Sequence, residues 1–352
     1  MKIKLGIIFG GMSTENEVSV QSAKSIMKEL NKEKYEIFPI YISKEGIWYK
    51  YLETEETIKF GQEIKNKKKI ENIIEELKKL DVIFPVLHGL YGEDGTIQGL
   101  FELLGVKYVG CKVLASSIGM DKAYTKIIFD RANINQAKYE YIKVDGDNYI
   151  YIDKEFNEEK LTVDLLIKKI TTNLEFPVFV KPSNSGSSVG INKAENKEEL
   201  EEYIKYAAKF DNKVLIEEGI IGKEVECAVL GNENVISSNV GEIKAADEFY
   251  SFDAKYKNQE SKTLIPAEIP EEISKEIRKL AVKAFKAIDG KGLSRVDFFV
   301  EDKTNKIYIN EINTLPGFTS ISMYPMLWEA RGLDKKTLVQ KLIDLAMVRY
   351  DG

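Results

Sequence analysis

The first part of the chain alternates between short apolar runs and amphipathic stretches. Lys4–Phe9 is largely apolar and runs into Gly10-Gly11, after which Ser13 or Thr14 is placed to cap a helix reaching about Leu30. Tyr35–Ile42 reads as a second strand and Asp81–Leu87 as a third. Apolar residues at helical spacing over Ile70–Leu80 and Thr96–Leu104 predict helices between and after them. Strands alternating with helices imply a doubly wound parallel sheet. In such sheets the loops at the carboxyl ends of the strands carry ligands. Gly10–Val18 and His88–Gly99 occupy that position.

From about Cys111 the pattern changes. A helix over Ala123–Ala132 is followed by a strand over Phe176–Lys181, a Ser/Gly loop over Pro182–Gly190, a strand end at Ile191–Lys193, a helix over Lys197–Phe210 and a strand over Val214–Glu217. Strands then dominate: Glu224–Leu230, Val235–Val240 and Glu242–Ile243. The polar segment Ala245–Lys262 is long for a loop and suggests a lid. An amphipathic helix covers Glu271–Ile288, a hairpin joins Leu293–Val300 to Lys306–Glu311, and Leu338–Tyr350 closes the chain as a helix. The lysine-rich Lys65–Lys69 reads as a solvated connection.

Composition narrows the function. With 57 acidic and 51 basic side chains the 352-residue chain carries a net charge of −6, so there is no basic excess to neutralise a nucleic acid. Two cysteines, Cys111 and Cys227, form neither a disulfide framework nor a four-cysteine zinc site, and a single histidine, His88, excludes any multi-histidine metal centre. No apolar run approaches membrane-spanning length, and the N-terminal run lacks a small-residue cleavage site; a cytoplasmic location fits. No G-x-x-x-x-G-K-[ST] occurs anywhere, and no G-x-G-x-x-G follows the first strand.

Candidate chemistry is densest in the hairpin. Arg295 and Asp297 share one face of their strand, and Glu311 and Asn313 share one face of the next. A pairing centred on Thr304 sets Asp297 opposite Glu311 and Arg295 opposite Asn313. Opposed carboxylates are unfavourable without a cation between them, and Asp, Glu and Asn oxygens suit Mg²⁺. An ordinary polar face with solvated charges has the same spacing, and a register slip of one residue would destroy the convergence. In Lys181–Gly190, glycines and four serines suit an anion, although such loops also occur as plain turns. Glu15 and Glu17 could simply complement the dipole of the first helix, and a lone His88 could be a structural residue. Tyr250 and Tyr256 could anchor the lid or merely pack on it.

Seven segments together resemble the D-alanine–D-alanine ligases of the ATP-grasp superfamily. They are Gly10–Ser19, His88–Gly95 with Gln98-Gly99, Gly119–Lys122, Lys181–Gly190, Phe249–Tyr256, Ser294–Asp297 and Glu311–Ser320, in the family's order. The resemblance implies an α/β and α+β architecture: an N-terminal doubly wound domain over 1–112, a central ATP-grasp subdomain over 113–220, and a C-terminal one over 221–352 with the lid at 245–262. It implies that Lys122 and Lys181 hold ATP phosphates, that Glu217 and Glu224 hold the adenine and ribose end, and that Asp297, Glu311 and Asn313 bind two Mg²⁺ (or Mn²⁺). Lys255 would be carried by the lid onto the γ-phosphate. Glu15 would meet the ammonium of the first D-alanine, with His88 nearby, and Glu15, Ser187 and Tyr256 would link the N-terminal domain, the phosphate loop and the lid.

Ser322 and the Gly317 backbone would hold the second D-alanine, and Arg295 with the Gly317 N–H would stabilise a tetrahedral oxyanion. The implied product, D-alanyl-D-alanine, is a peptidoglycan precursor made through an acylphosphate. The implied partners are ATP, D-alanine and a second copy of the chain, with neither nucleic acid nor membrane. Related ligases join D-alanine to D-serine or D-lactate, and other ATP-grasp ligases use other acids and amines. Tyr256 in the lid, where the lactate enzymes carry histidine, and an uncharged Met323, where arginine is common in the resistance enzymes, favour D-alanine. Phe252, where tyrosine is frequent, keeps the ring.

Overall fold

The computed structural model describes residues 1–59, 61–244 and 262–349. Its first sheet is built from β1 (Ile3–Gly10), β2 (Tyr35–Ile42), β3 (Trp48–Tyr51), β4 (Lys67–Lys69), β5 (Val82–Leu87) and β6 (Lys107–Tyr108), in the order β4-β3-β2-β1-β5-β6. The four strands β2, β1, β5 and β6 are parallel, as the alternating pattern required. Helix α1 (Asn16–Glu29) covers one face, and α2 (Ile73–Leu77) and α3 (Thr96–Leu104) the other. The helix expected over Ile70–Leu80 is thus shorter. The lysine-rich segment is not a solvated connection but the antiparallel edge strand β4. Its three lysines hide the strand from any periodicity reading, and such residues are what keep an edge from pairing with other chains.

A second, wholly antiparallel sheet has the order β11-β10-β12-β7-β8-β9. It comprises β7 (Tyr139–Asp145), β8 (Asn148–Ile152), β9 (Glu158–Leu161), β10 (Val178–Pro182), β11 (Asn192–Ala194) and β12 (Lys213–Glu218). Ile142, Val178, Val180, Val214 and Ile216 pack on α6 (Val163–Asn173) and α7 (Lys197–Ala207) through Leu166, Ile170, Leu200 and Ile204. Helices α4 (Val113–Met120) and α5 (Lys122–Arg131) precede this sheet in the chain.

The third sheet, β15-β14-β13-β16-β17, is antiparallel too. Its strands are β13 (Gly222–Gly231), β14 (Ile236–Lys244), β15 (Lys262–Leu264), β16 (Gly292–Glu301) and β17 (Ile307–Asn313). One face is covered by α8 (Glu271–Ala287) through Ile277, Ala281 and Phe285. The other shares a core with the first sheet, in which α9 (Met323–Glu329) and α10 (Lys335–Arg349) contribute Leu327, Trp328, Leu338 and Leu342. The two strands expected at 235–240 and 242–243 are the single β14, and a register shift between Cys227 and Val229 accommodates it. The expected lid, with Tyr250, Phe252, Lys255 and Tyr256, lies outside the described residues except for Lys262. Its stem is described: Lys244 pairs with Lys262. Both cysteines are buried, and burial pushes their thiols up to about 12, which leaves them inert.

The turn after β1 shows how tightly the N-terminal loop is set. Gly10 has φ +91°, and a Cβ there would lie 2.2 Å from the Ile42 carbonyl oxygen. Gly10→Ala should cost at least about 2 kcal/mol, read as a lower urea midpoint with unchanged m. An unchanged midpoint would show that the loop relaxes freely.

Candidate active site

An open cleft of about 620 Å³ lies where residues of all three sheets meet. Lys122, Lys181 and Glu217 line it from α5 and the second sheet, Glu224, Arg295, Glu311 and Asn313 from the third, and Glu15 and His88 from loops of the first. Ser187, Gly317, Ser322 and Met323 line it as well. Of the expected site residues described, Asp297 alone is absent from the lining. Lys255 and Tyr256 fall outside the described residues.

The Ser/Gly loop is stapled to the start of α5. Asp121 caps that helix by accepting from the Tyr124 N–H at 3.3 Å, and accepts from Ser183 Oγ at 2.5 Å and from Lys213 Nζ. Ser183 in turn accepts from Ala123 N at Oγ, 3.0 Å, and from Lys122 N at its carbonyl, 3.1 Å. Lys122 then reaches back, its Nζ donating to Ser185 O at 2.5 Å. Burial lowers the affinity of Lys122 for its proton, and Glu311 partly offsets this. Ser187 and Ser188 have φ +50° and +58°. Left-handed backbone at non-glycine residues is strained and concentrates at ligand sites.

On β10 and β12, Phe179 pairs with Glu217. Lys181 Nζ donates to Glu217 Oε2 at 2.9 Å, and Lys126 Nζ stands 3.5 Å from Oε1. Burial alone would raise the Glu217 carboxyl; the two lysines outweigh it and hold it below the ordinary carboxylate range.

The hairpin has the register the residue spacing required, by a route the spacing did not show. Val300 pairs with Ile307 and Phe298 with Ile309, while Asp297 pairs with Glu311 and Arg295 with Asn313. A bulge at Asn310 makes the difference. A regular ladder running from the turn would have set Asn310 opposite Asp297.

The guanidinium of Arg295 grips Asp297 at both oxygens, 2.8 Å from Nε and 2.6 Å from Nη2, and stands 3.0 Å from Glu226 Oε2. Burial disfavours the cation, but Asp297 and Glu226 outweigh it and keep Arg295 firmly protonated. Asp297, 2% exposed, therefore lies one layer beneath Glu311 and Asn313. Among the described residues no group of three or more His, Cys, Asp or Glu side chains could hold a metal by itself. Two carboxylates and an amide do fit a Mg²⁺ that keeps waters and shares substrate phosphates, provided Arg295 releases Asp297.

On the N-terminal side, Ser13 Oγ donates to His88 O at 2.6 Å and accepts from Glu15 N at 3.2 Å, so it ties the two loops together rather than capping α1. Glu15 Oε2 is wedged between backbones: a Cβ on Gly89 would lie 2.8 Å from it, and one on Gly186 3.3 Å. His88 is buried, with Nδ1 3.1 Å from Leu315 O and Nε2 3.1 Å from Ser22 Oγ. Leu315 O only accepts, so Nδ1 carries a proton. Burial works against a charged imidazole, but the facing Glu93, 3.6 Å from Nδ1, outweighs it and the pKa is raised. Ser22 Oγ also accepts from Phe318 N at 3.1 Å, which fixes the loop containing Gly317. Ser322 Oγ accepts from Thr319 N at 3.0 Å. Met323 is 5% exposed in the shared core, with its Cε close to Gly241.

Lys126, Asp121, Ser22, Glu93 and Glu226 were not singled out from the sequence. Asp121 and Glu93 lie inside the family-like segments Gly119–Lys122 and His88–Gly95, and Lys126 follows Lys122 by four residues and so shares its helical face.

A mainly parallel sheet beside two antiparallel ones, with lysines and carboxylates converging between them, is the ATP-grasp fold of an ATP-dependent ligase. Family models described as D-ala D-ala ligase N-terminus and D-ala D-ala ligase C-terminus match residues 4–111 and 128–344. The D-alanine–D-alanine ligase of Acetivibrio thermocellus is 52% identical over 99% of this chain and 97% of its own. That of Clostridium acetobutylicum is 47% identical over the whole of both. Among solved structures, the VanG D-Ala:D-Ser ligase of Enterococcus faecalis superposes with a TM-score of 0.85 at 38% identity, covering 98% of this chain and 100% of that one. The D-alanine–D-alanine ligase of Coxiella burnetii gives 0.81 at 32%, covering 99% and 95%. The chain belongs to the D-alanine–D-alanine ligase family.

Proposed function

We propose that this chain joins two D-alanine molecules at the expense of ATP, and that the cleft between the three sheets is where it does so. The observation that carries this is the hairpin register, which puts Arg295, Glu311 and Asn313 on the cleft wall with Asp297 behind them. Peptide-bond formation in water is uphill, so one carboxylate must first be activated. In this reading it attacks the γ-phosphorus of ATP and displaces ADP to give an acylphosphate, whose carbonyl the second amine, as the free base, attacks as inorganic phosphate leaves. The first step brings two anions together. Lys122 and Lys181 counter that charge from the floor of the cleft. Asp297, Glu311 and Asn313 would hold Mg²⁺ or Mn²⁺, which when bound neutralises phosphate charge. Glu217 and Glu224 serve the adenine and ribose end.

Glu15, wedged against the Gly89 and Gly186 backbones, meets the first ammonium, with His88 beside it. Ser322 and the Gly317 N–H hold the second D-alanine, and Arg295 with Gly317 stabilises the oxyanion. The reading keeps Lys255 as the lid's contact to phosphate, Glu15, Ser187 and Tyr256 as the link between the N-terminal domain, the phosphate loop and the lid, and three units over 1–112, 113–220 and 221–352. The product would supply peptidoglycan synthesis in the cytoplasm; no helix among the described residues could cross a membrane. A homodimer through the first sheet's unit would cover Leu103, exposed on α3.

The likeness to a D-Ala:D-Ser ligase favours D-serine as the second reading. Against it, the Met323 side chain is apolar and buried against Gly241, offering no charge or hydrogen bond to a hydroxyl. Incubation with ATP, Mg²⁺ and equal D-alanine and D-serine, with products separated by thin-layer chromatography, decides between them. D-alanyl-D-alanine should dominate; mainly D-alanyl-D-serine would reverse the assignment, and no dipeptide would end the ligase reading.

A further inference from the structure

Lys126 is a buried cation that the reading above leaves without a task. It is 2% exposed, its Nζ makes no hydrogen bond among the described residues, and it sits 5.1 Å from the centre of the Tyr139 ring. The nearest carboxylate oxygen is Glu217 Oε1, at 3.5 Å. Burying an ammonium that makes no hydrogen bond costs several kcal/mol, so such a group calls for an explanation.

The explanation lies in what Lys181 has to do. Lys181 Nζ is bound to Glu217 Oε2 at 2.9 Å. Turning its charge toward a phosphate would weaken that bond, and Glu217 is only 5% exposed. A buried carboxylate stripped of its partner is strongly destabilising. Lys126 needs to move only about 0.6 Å to come within the charge-assisted range of Oε1. It is on hand from the opposite side, on the same helical face as Lys122. At 3.5 Å it already shares Glu217 with Lys181, and the ring of Tyr139 helps to hold its charge, as aromatic faces hold ammonium groups.

We propose that Lys126 is a positioning residue that takes over Glu217 when Lys181 turns to the nucleotide's phosphates. It contacts neither substrate nor metal; it acts through Glu217, and so sets how readily Lys181 is released. The inference rests on the nucleotide reading of this cleft.

The test is a double-mutant cycle on Mg²⁺-ADP affinity, measured by titration calorimetry on the full chain. Lys126→Met should raise the Kd at least tenfold while the KM for D-alanine stays within twofold. In a Glu217→Gln background, which leaves no buried charge to take over, adding Lys126→Met should change the Kd by less than twofold. The same factor in both backgrounds would show that Lys126 merely packs, and would overturn the proposal; so would an unchanged Kd in the single variant. If Lys126→Met alone does not fold, Lys126→Arg keeps the charge and should hold the Kd within about threefold of wild type; a tenfold loss there would also overturn it. Lys181→Met separates the two levels. If it leaves ADP affinity unchanged, the nucleotide reading fails. If it weakens binding and Lys126→Met does not, only this inference fails.

Discussion

Glu311→Gln should cut D-alanine-dependent phosphate release by at least about a hundredfold while leaving the folded protein intact. The substitution keeps shape and removes one charge from the cleft wall. In the register found here Glu311 faces Asp297 across the hairpin, within electrostatic reach of Arg295. Like charges opposed on a sheet repel, so losing one should leave stability within about 0.5 kcal/mol of wild type or slightly above it. Asp297→Asn gives a different signature. Activity should fall as far, but Arg295 would lose its two-point partner in a buried place, at a cost of about 1–3 kcal/mol. A phosphate-release assay and urea unfolding on both variants separate the two effects. Wild-type turnover in either variant would refute the assignment of these carboxylates to the reaction.

Arg295→Met should be the most damaging change to the folded state near the site. The guanidinium is the counter-ion of Asp297 and stands 3.0 Å from Glu226, and both acids are almost completely buried. Breaking a buried pair by removing one partner typically costs about 3–5 kcal/mol, because the other charge stays behind. Turnover should fall by at least a further order of magnitude below what the loss of folded protein explains, since the group proposed to meet the oxyanion is gone. Arg295→Lys should recover part of the stability and little of the turnover, because an ammonium supplies charge but not the planar fork. If the methionine variant unfolds at the wild-type urea concentration, the charge balance drawn here is wrong.

Much of the site was legible because it depends on local geometry. The two-residue spacing of Arg295 with Asp297, and of Glu311 with Asn313, fixes which residues share a face whatever surrounds the strands. The register that joins the two pairs was legible only in outcome. A turn centred on Thr304 gave the right partners, yet the ladder from the turn is offset by one, and the bulge at Asn310 restores the pairing. A bulge is a contest between turn geometry and the packing of Phe298 and Ile309 into the core, and a single strand does not reveal it. Two of the missed strands, β4 and β9, have a physical reason as well. Three consecutive lysines in β4 and acidic residues in β9 carry no apolar alternation, because edge strands are selected against stickiness rather than for burial.

The sequence by itself determined the alternation that builds the parallel sheet, the faces on which the acids and the arginine sit, and the anion-suited composition of Lys181–Gly190. These follow from the periods of strands and helices and from side-chain chemistry, which act over a few residues. Only the tertiary structure decided that Asp297 lies beneath Arg295, that Ser22 joins His88 to the Phe318 backbone, and that Lys126 stands behind Glu217. The first sets which of two same-face neighbours on β16 lies deeper, the other two join residues far apart in the chain, and burial makes all three binding. Away from water a charge or hydrogen-bonding group must find a partner, and which partner it meets depends on how whole elements pack.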